Sequence, residues 1–226
     1  MTVTPVAYFR SPVGGKFGLP RQSGLAPGLR GEVVFEPQWR NPDALRGLEG
    51  FERIWLLWCF DRNPQSNSAT VRPPRLGGND SVGVFASRSP FRPNGIGLSC
   101  VELLSIEYDA EKGPVLHVAG ADLADGTPII DIKPYLSYAD AFPEARCGFA
   151  DTKPEAPLDV LVPEGIASMF DATALEALKE ILALDPRPAW HEDPDRVYGF
   201  AYCGRDVRFR VRGATLTVIG AELLQK

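Results

Sequence analysis

The chain has 226 residues, of which 44% are hydrophobic and 23% charged, and its formal net charge is −5. These values are typical of a soluble globular protein and exclude the collagen-like and disordered classes. The longest apolar stretch, residues 54–60, is far shorter than the roughly 20 residues of a transmembrane helix, and residues 1–10 lack a signal-peptide pattern, so we expect a cytoplasmic protein that does not contact membranes.

The first two thirds of the chain predict a series of strands. Alternating or β-branched runs between turn residues indicate strands at 3–10, 30–35, 51–60, 81–85, 97–108, 115–121 and 129–132. Asn41 followed by Pro42 predicts a short helix at 42–47. Because no long helical pattern separates the strands, they favour a single-sheet, antiparallel or mixed β-barrel over a doubly wound sheet.

The last third predicts a small α+β domain. Residues 142–163 are rich in Pro, Ala and acidic residues, which is typical of a linker. The helix that follows carries an apolar stripe and a capping box formed by Thr173 and Glu176. Three alternating runs then indicate a three-stranded meander, at 197–203, 207–211 and 215–219. We therefore expect a mainly β protein with a barrel domain at 1–154 and an α+β C-terminal domain at 155–226.

Charge is distributed unevenly along the chain. Residues 1–100 have a balance of +5, residues 101–195 of −14 and residues 196–226 of +4. A locally basic surface can bind nucleic acid although the total charge is acidic. Charges that only solvate separate faces explain the same numbers equally well.

The cysteines and histidines argue against a metal site. Four cysteines are scattered without a C-x-x-C pair, so we expect reduced thiols, no disulfide framework and no metal. His117 and His191 have no His or Cys neighbour at ligand spacing, and His117 lies in an alternating run typical of an ordinary strand. A catalytic triad is poorly supported.

Three loop segments combine Gly and Pro with Arg, Asn, Asp and Ser, at 16–22, 85–99 and 122–135. Gly and Pro fix unusual backbone angles, and the polar residues supply donors and acceptors. Each segment alone is compatible with a surface turn. All three together favour a binding cleft built from loops on a rigid barrel. Neither a G-x-G-x-x-G nor a Walker motif is present, so nucleotide binding of the Rossmann kind is not indicated.

These segments resemble the tRNA threonylcarbamoyladenosine N(6)-methyltransferases, the TrmO or TsaA-like family. The resemblance extends to Tyr8-Phe9-Arg10-Ser11-Pro12, to residues 70–79 and to Asp185-Pro186-Arg187-Pro188-Ala189-Trp190. It implies a β-barrel enzyme, generally a homodimer, that uses S-adenosylmethionine (SAM) to methylate N6 of threonylcarbamoyladenosine next to the tRNA anticodon. One departure is Gly95, which stands where the family usually has Pro.

The resemblance also implies a set of SAM contacts. The implied residues are Pro20, Arg21, Gln22, Asp61, Arg62, Arg88, Leu98, Asp122, Leu123, Ala124 and Asp125. Their chemistry suits the ligand, because Arg21 or Arg88 can pair with its carboxylate, and Asp122 or Asp125 can accept from its amine or a ribose hydroxyl. Leu98 would form an apolar wall for the adenine.

For tRNA we expect contacts from Arg72, Arg75, Arg92, Asn94 and Arg187, with further support from Arg208 and Arg210. Stacking on anticodon-loop bases is expected from Phe91 and Trp190, and a structural role is equally compatible with each. Phe17 and Phe91 are expected to be exposed and to gain from a dimer contact.

The catalytic residue is unknown from sequence, with Asp125 and Asp131 as the candidate bases. Two alternatives stay open, a non-catalytic SAM- or RNA-binding module and a SAM-dependent methyltransferase of a small molecule.

Overall fold

Twelve strands and three helices are present in the computed structural model, which describes residues 2–73, 76, 80–151, 156–188, 191 and 193–225. The strands are β1 Ala7–Arg10, β2 Arg30–Phe35, β3 Arg53–Cys59, β4 Thr70–Val71, β5 Val82–Gly83, β6 Ile96–Asp109, β7 Gly113–Ala119, β8 Pro128–Pro134, β9 Asp159–Leu161, β10 Tyr198–Tyr202, β11 Arg205–Arg212 and β12 Thr215–Leu223. The helices are α1 Ser137–Asp140, α2 Glu164–Ala167 and α3 Ala172–Ala183.

Six strands close into a barrel in the order β1-β2-β7-β6-β3-β8, and every pair is antiparallel. Alternation explains the closure, because β3 buries Ile54, Leu56 and Trp58 while the residues between them face outward. The core includes Phe9 and Leu116 from other strands. The predicted single-sheet barrel is therefore confirmed. The run at 81–85 is less regular than predicted, since β5 is followed by a 3₁₀ turn at Val84–Ala86.

The C-terminal sheet has four strands, one more than predicted. Strands β10, β11 and β12 form the antiparallel meander, and β9 adds to β12 in parallel, with Val160 opposite Leu216. Strand β9 lies inside the predicted linker, where Pro157 and Pro163 and its length of three residues hide the strand signal. Parallel pairing also depends on a partner more than 50 residues away, which no local pattern reveals.

Helix α3 begins two residues earlier than its predicted capping box. Asp171 is its N-cap, and the carboxylate accepts from the amide of Ala174 at 2.8 Å. The predicted capping box is therefore wrong, and Glu176 instead pairs with Lys179 at 2.9 Å. The apolar stripe is confirmed, because Leu178 and Leu182 are fully buried.

The segment 11–29 leaves the barrel and packs against the C-terminal domain. Val13 and Leu29 belong to the C-terminal core cluster, and Val13 forms an isolated β-bridge with Tyr202. The amide of Gly28 donates to the Glu180 carboxylate at 2.7 Å. The division at 154/155 thus remains a prediction, since packing crosses it.

Among the described residues, no helix is both long and apolar enough to cross a membrane.

Candidate functional site

Three loops meet at Arg88. It follows the 3₁₀ turn after β5, and its guanidinium donates to the Gln22 side-chain oxygen in the loop between β1 and β2. Arg88 also lies near enough to Asp122, in the loop after β7, to favour the charged carboxylate. One residue from each predicted loop segment therefore contributes to a single polar cluster.

Asp122 is mostly buried at the barrel end of this cluster. Its Oδ1 accepts a hydrogen bond from the Ser99 hydroxyl at 2.5 Å, and the Ser99 oxygen accepts from the Trp58 indole N–H at 2.9 Å. Burial raises the pKa of Asp122, because a low-dielectric environment disfavours the charged form, while the Ser99 hydrogen bond and Arg88 act in the opposite direction.

Arg62 connects a second group of site residues beside the first. Its guanidinium donates to the carbonyl of Gly14 at 3.1 Å and to that of Asp125, and it lies 3.9 Å from the Asp61 carboxylate. The Asp125 Oδ1 accepts from the amide of Ser11 at 3.1 Å. Arg62 thus connects the loop between β1 and β2 to the loop between β7 and β8.

Several predicted SAM contacts are buried or engaged within the protein. Leu123 and Ala124 are buried, and so is Pro20. Arg21 donates to the carbonyl of Asp185 in the C-terminal domain at 3.4 Å. Leu98, in contrast, is 55% exposed on the outer face of β6, as an apolar wall requires.

The predicted tRNA contacts differ in their exposure and in whether their side chains bind other protein groups. Arg72 and Asn94 are exposed, whereas Arg92 folds back and donates to the carbonyl of Ser87 at 3.1 Å. Arg187 makes a two-pronged ion pair with Asp185 at 2.7 and 2.8 Å, and only 15% of its side chain is exposed. Arg75 and Trp190 lie outside the described residues.

The candidate bases are both engaged elsewhere. Asp131 is on the outer face of the barrel, 3.1 Å from the Lys133 ammonium, and Asp125 holds the backbone of Ser11. Sequence reasoning missed Trp58 and Ser99 as site residues. A signal was present, since Ser99 is a polar residue at an inward-facing position of β6, where neighbouring inward residues are apolar.

His117 occupies an ordinary strand position on β7, 2.8 Å from the Glu107 carboxylate and 3.8 Å from that of Glu32. In the part of the chain that the structure describes, no cluster of three or more His, Cys, Asp or Glu is arranged to hold a metal ion.

Family models match both parts of the chain. The N-terminal domain of tRNA-methyltransferase O (TrmO) matches residues 8–141, and its C-terminal domain matches residues 165–223. The chain belongs to the TrmO family. The resemblance seen in the sequence is therefore confirmed.

Relatives in the TrmO family match nearly the full length. A tRNA (adenine(37)-N6)-methyltransferase of Escherichia coli is 38% identical, with 96% of each chain covered. A putative S-adenosylmethionine-dependent methyltransferase of Pseudomonas aeruginosa is 41% identical over 92% of this chain and 91% of that protein. The crystal structure of TrmO from Pseudomonas aeruginosa superposes with a TM-score of 0.79 at 35% identity, covering 98% of this chain and 97% of that one.

Proposed function

We propose that this chain transfers the methyl group of SAM to N6 of adenine 37 in tRNA, and that this adenine already carries a threonylcarbamoyl group. The observation that carries the proposal is that three residues from three different loops, Gln22, Arg88 and Asp122, lie together at one end of the barrel. Family membership supplies the reaction, since a relative covering nearly the whole chain bears the name of this tRNA methyltransferase.

The residues at this end of the barrel fit SAM. Arg88 supplies a planar cation for a carboxylate, Asp122 supplies an acceptor for an amine or hydroxyl, and exposed Leu98 supplies an apolar wall. SAM, when bound, supplies a methyl group activated by a sulfonium. A relative whose name makes it a SAM-dependent methyltransferase supports the same methyl donor.

The work of the protein is then to hold the two reactants in line. Transfer at an activated methyl gains most from positioning the nucleophile near the carbon, and effective molarities in such arrangements are large. The N6 proton lies between a purine ring and a carbonyl, which makes it acidic, so a weak acceptor or water suffices to remove it. Asp125 and Asp131 are engaged in structural contacts, so we assign no general base.

We propose that the anticodon loop lies against two segments, the one that follows β4, with Arg72 and the nearby Arg75, and the one that precedes β6, with Arg92 and Asn94. Arg72 and Asn94 are exposed there, and Phe91 is also exposed, for stacking on an unstacked base. Arg187 has its charge engaged by Asp185, so its contribution would be to shape the C-terminal loop.

We further propose a cytoplasmic homodimer. The expectation that Phe17 is exposed and forms a dimer contact is wrong. Phe17 is half-buried and stacks on Tyr198 of the same chain, with ring centroids 6.5 Å apart. Phe85, Phe91 and Ile96 remain exposed near the cleft and would gain from being covered. Light scattering at micromolar concentration should give twice the chain mass of 24.7 kDa; a single chain mass would reject the dimer.

The activity is tested with purified protein, SAM and tRNA that lacks the methyl group but carries threonylcarbamoyladenosine. Methylated nucleoside should appear on digestion and mass spectrometry, and tRNA without the threonylcarbamoyl group should be a poor substrate. Binding of SAM without methylation of either tRNA would favour a binding module or a small-molecule methyltransferase.

A further inference from the structure

A chain of polar groups runs through the apolar interior of the barrel. Ser99 is 0% exposed and Thr127 is 3% exposed, and they are the two buried polar residues among those described. Thr127 is satisfied locally by the carbonyl of Ala124 at 2.8 Å. Ser99 instead joins Trp58 to Asp122, a connection between β3, β6 and the loop after β7. A buried hydroxyl in an apolar barrel is costly unless it is fully hydrogen-bonded, so this chain calls for an explanation.

Trp58 sets the direction of the hydrogen bonds in this series of polar groups. The indole N–H of Trp58 is a donor only, so it takes a lone pair of the Ser99 oxygen and leaves the single hydroxyl proton free. That proton is donated to Oδ1 of Asp122 at 2.5 Å. Asp122 is therefore held as an acceptor, which is the role of an ionised carboxylate.

The indole itself is held in place by its neighbours. Gly97 lies opposite Trp58 in the strand pairing, and a Cβ at position 97 would be 2.3 Å from the indole Cε2. Phe60 packs edge-on against the indole, with ring centroids 4.3 Å apart. Gly97 and Ser99 therefore lie on the inner face of β6, where Gly97 leaves room for the indole and Ser99 supplies the hydroxyl. Leu98, between them, lies on the outer face.

From this geometry we infer that Trp58 and Ser99 are positioning residues, which hold the Asp122 carboxylate in one orientation as an acceptor for an N–H or O–H of SAM. The backbone amides of Asp122 and Ser23 also donate to this carboxylate. This inference rests on the proposed function, because it takes the ligand to be SAM. Fixing an acceptor before the ligand arrives lowers the ordering cost of binding and sets the direction of the hydrogen bond. Arg88 is the charged side chain that acts on Asp122 from the loops packed around it, among the residues described.

The test is SAM binding by isothermal titration calorimetry between pH 5 and 9, with the full chain. Ser99→Ala and Trp58→Phe should weaken SAM binding, Ser99→Ala by about tenfold, the scale of one hydrogen bond to a charged group. Ser99→Thr keeps the hydroxyl and should retain most of the affinity. Ser105→Ala, an exposed position on the same strand, is the matched control and should bind as the unchanged protein does.

The pH profile separates positioning from simple packing. Loss of the Ser99 hydrogen bond raises the pKa of Asp122 further, so SAM affinity should begin to fall at a higher pH in Ser99→Ala than in the unchanged protein, whereas a packing defect lowers affinity equally at every pH. Thermal melting shows which variants are folded, and Trp58→Phe or Ser99→Cys takes the place of Ser99→Ala if the latter does not fold.

Unchanged affinity and an unchanged pH profile in folded Ser99→Ala would overturn the positioning role. If these variants behave as expected while no tRNA is methylated, the tRNA substrate is wrong and the positioning role stands. If the unchanged protein binds no SAM, both proposals fall.

Discussion

The cost of burying Asp122 gives a prediction that needs no ligand. Asp122→Asn keeps the shape and the acceptor for Ser99 but removes the charge, so it should stabilise the ligand-free protein at neutral pH. Each unit by which burial raises the pKa of Asp122 above its ordinary 3.8 costs about 1.4 kcal/mol of unfolding free energy once the group is ionised. For a chain of this size, 1 kcal/mol corresponds to roughly 2–4 °C in Tm.

The sign of the pH dependence follows from the raised pKa. The folded state binds the proton more tightly than the unfolded state, so the stability that protonated Asp122 contributes is complete below the ordinary carboxyl pKa and is lost as pH rises through the folded value. The difference in Tm between Asp122→Asn and the unchanged protein should therefore be small at pH 4 and grow towards pH 8.

Thermal melts across this pH range measure the effect, with Asp80→Asn as a control at an exposed carboxylate. The same Asp122→Asn variant should bind SAM more weakly, because an uncharged amide is a poorer acceptor for a cationic ligand. A variant that is equally or less stable at pH 8, with no growth of the difference above pH 4, would refute the reasoning.

Three further changes test other parts of the site. Arg88→Ala should weaken SAM binding by at least about 1.5 kcal/mol in calorimetry, the scale of a hydrogen bond to a charged group, and unchanged affinity in a folded variant would count against the cleft. Gly95 has φ of +58° with no atom within 4 Å of an added Cβ, so Gly95→Ala should lose about 1 kcal/mol in urea denaturation through backbone strain alone, whereas Gly95→Pro should lose more. Arg187→Ala should lower Tm because it leaves the Asp185 carboxylate without its ion-pair partner. Arg72→Ala should leave Tm unchanged and reduce the salt dependence of tRNA binding. The reverse pattern would mean that Arg72 is the structural residue and Arg187 the tRNA contact.

The barrel could be predicted because its signal is local. Each strand alternates between inward apolar and outward residues, as in Ile54, Leu56 and Trp58, and that alternation survives without knowledge of the neighbours. Strand β9 and the cap of α3 were missed for different reasons. Strand β9 is defined by its partner β12. The cap was predicted at Thr173, whereas the structure uses Asp171 two residues earlier, and both residue types are good caps.

The site was predictable as a set of loops and not as a set of contacts. Gly and Pro mark loops that can line a cleft, and three such loops do share one cluster at Arg88. Which way a long side chain turns depends on tertiary neighbours, so the pairing of Arg187 with Asp185 and the reach of Arg21 to the C-terminal domain left no trace in the sequence. The buried Ser99 was visible as a polar residue at an inward position, but its partners were not.

The central claim is tested most directly by the nucleosides of tRNA from cells in which the gene for this chain is deleted and then restored. Mass spectrometry should show threonylcarbamoyladenosine without its N6 methyl group in the deletion strain, the methylated form after restoration, and less of the methylated form when the restored copy carries Arg88→Ala. Methylated nucleoside at the same level in the deletion strain would contradict the account.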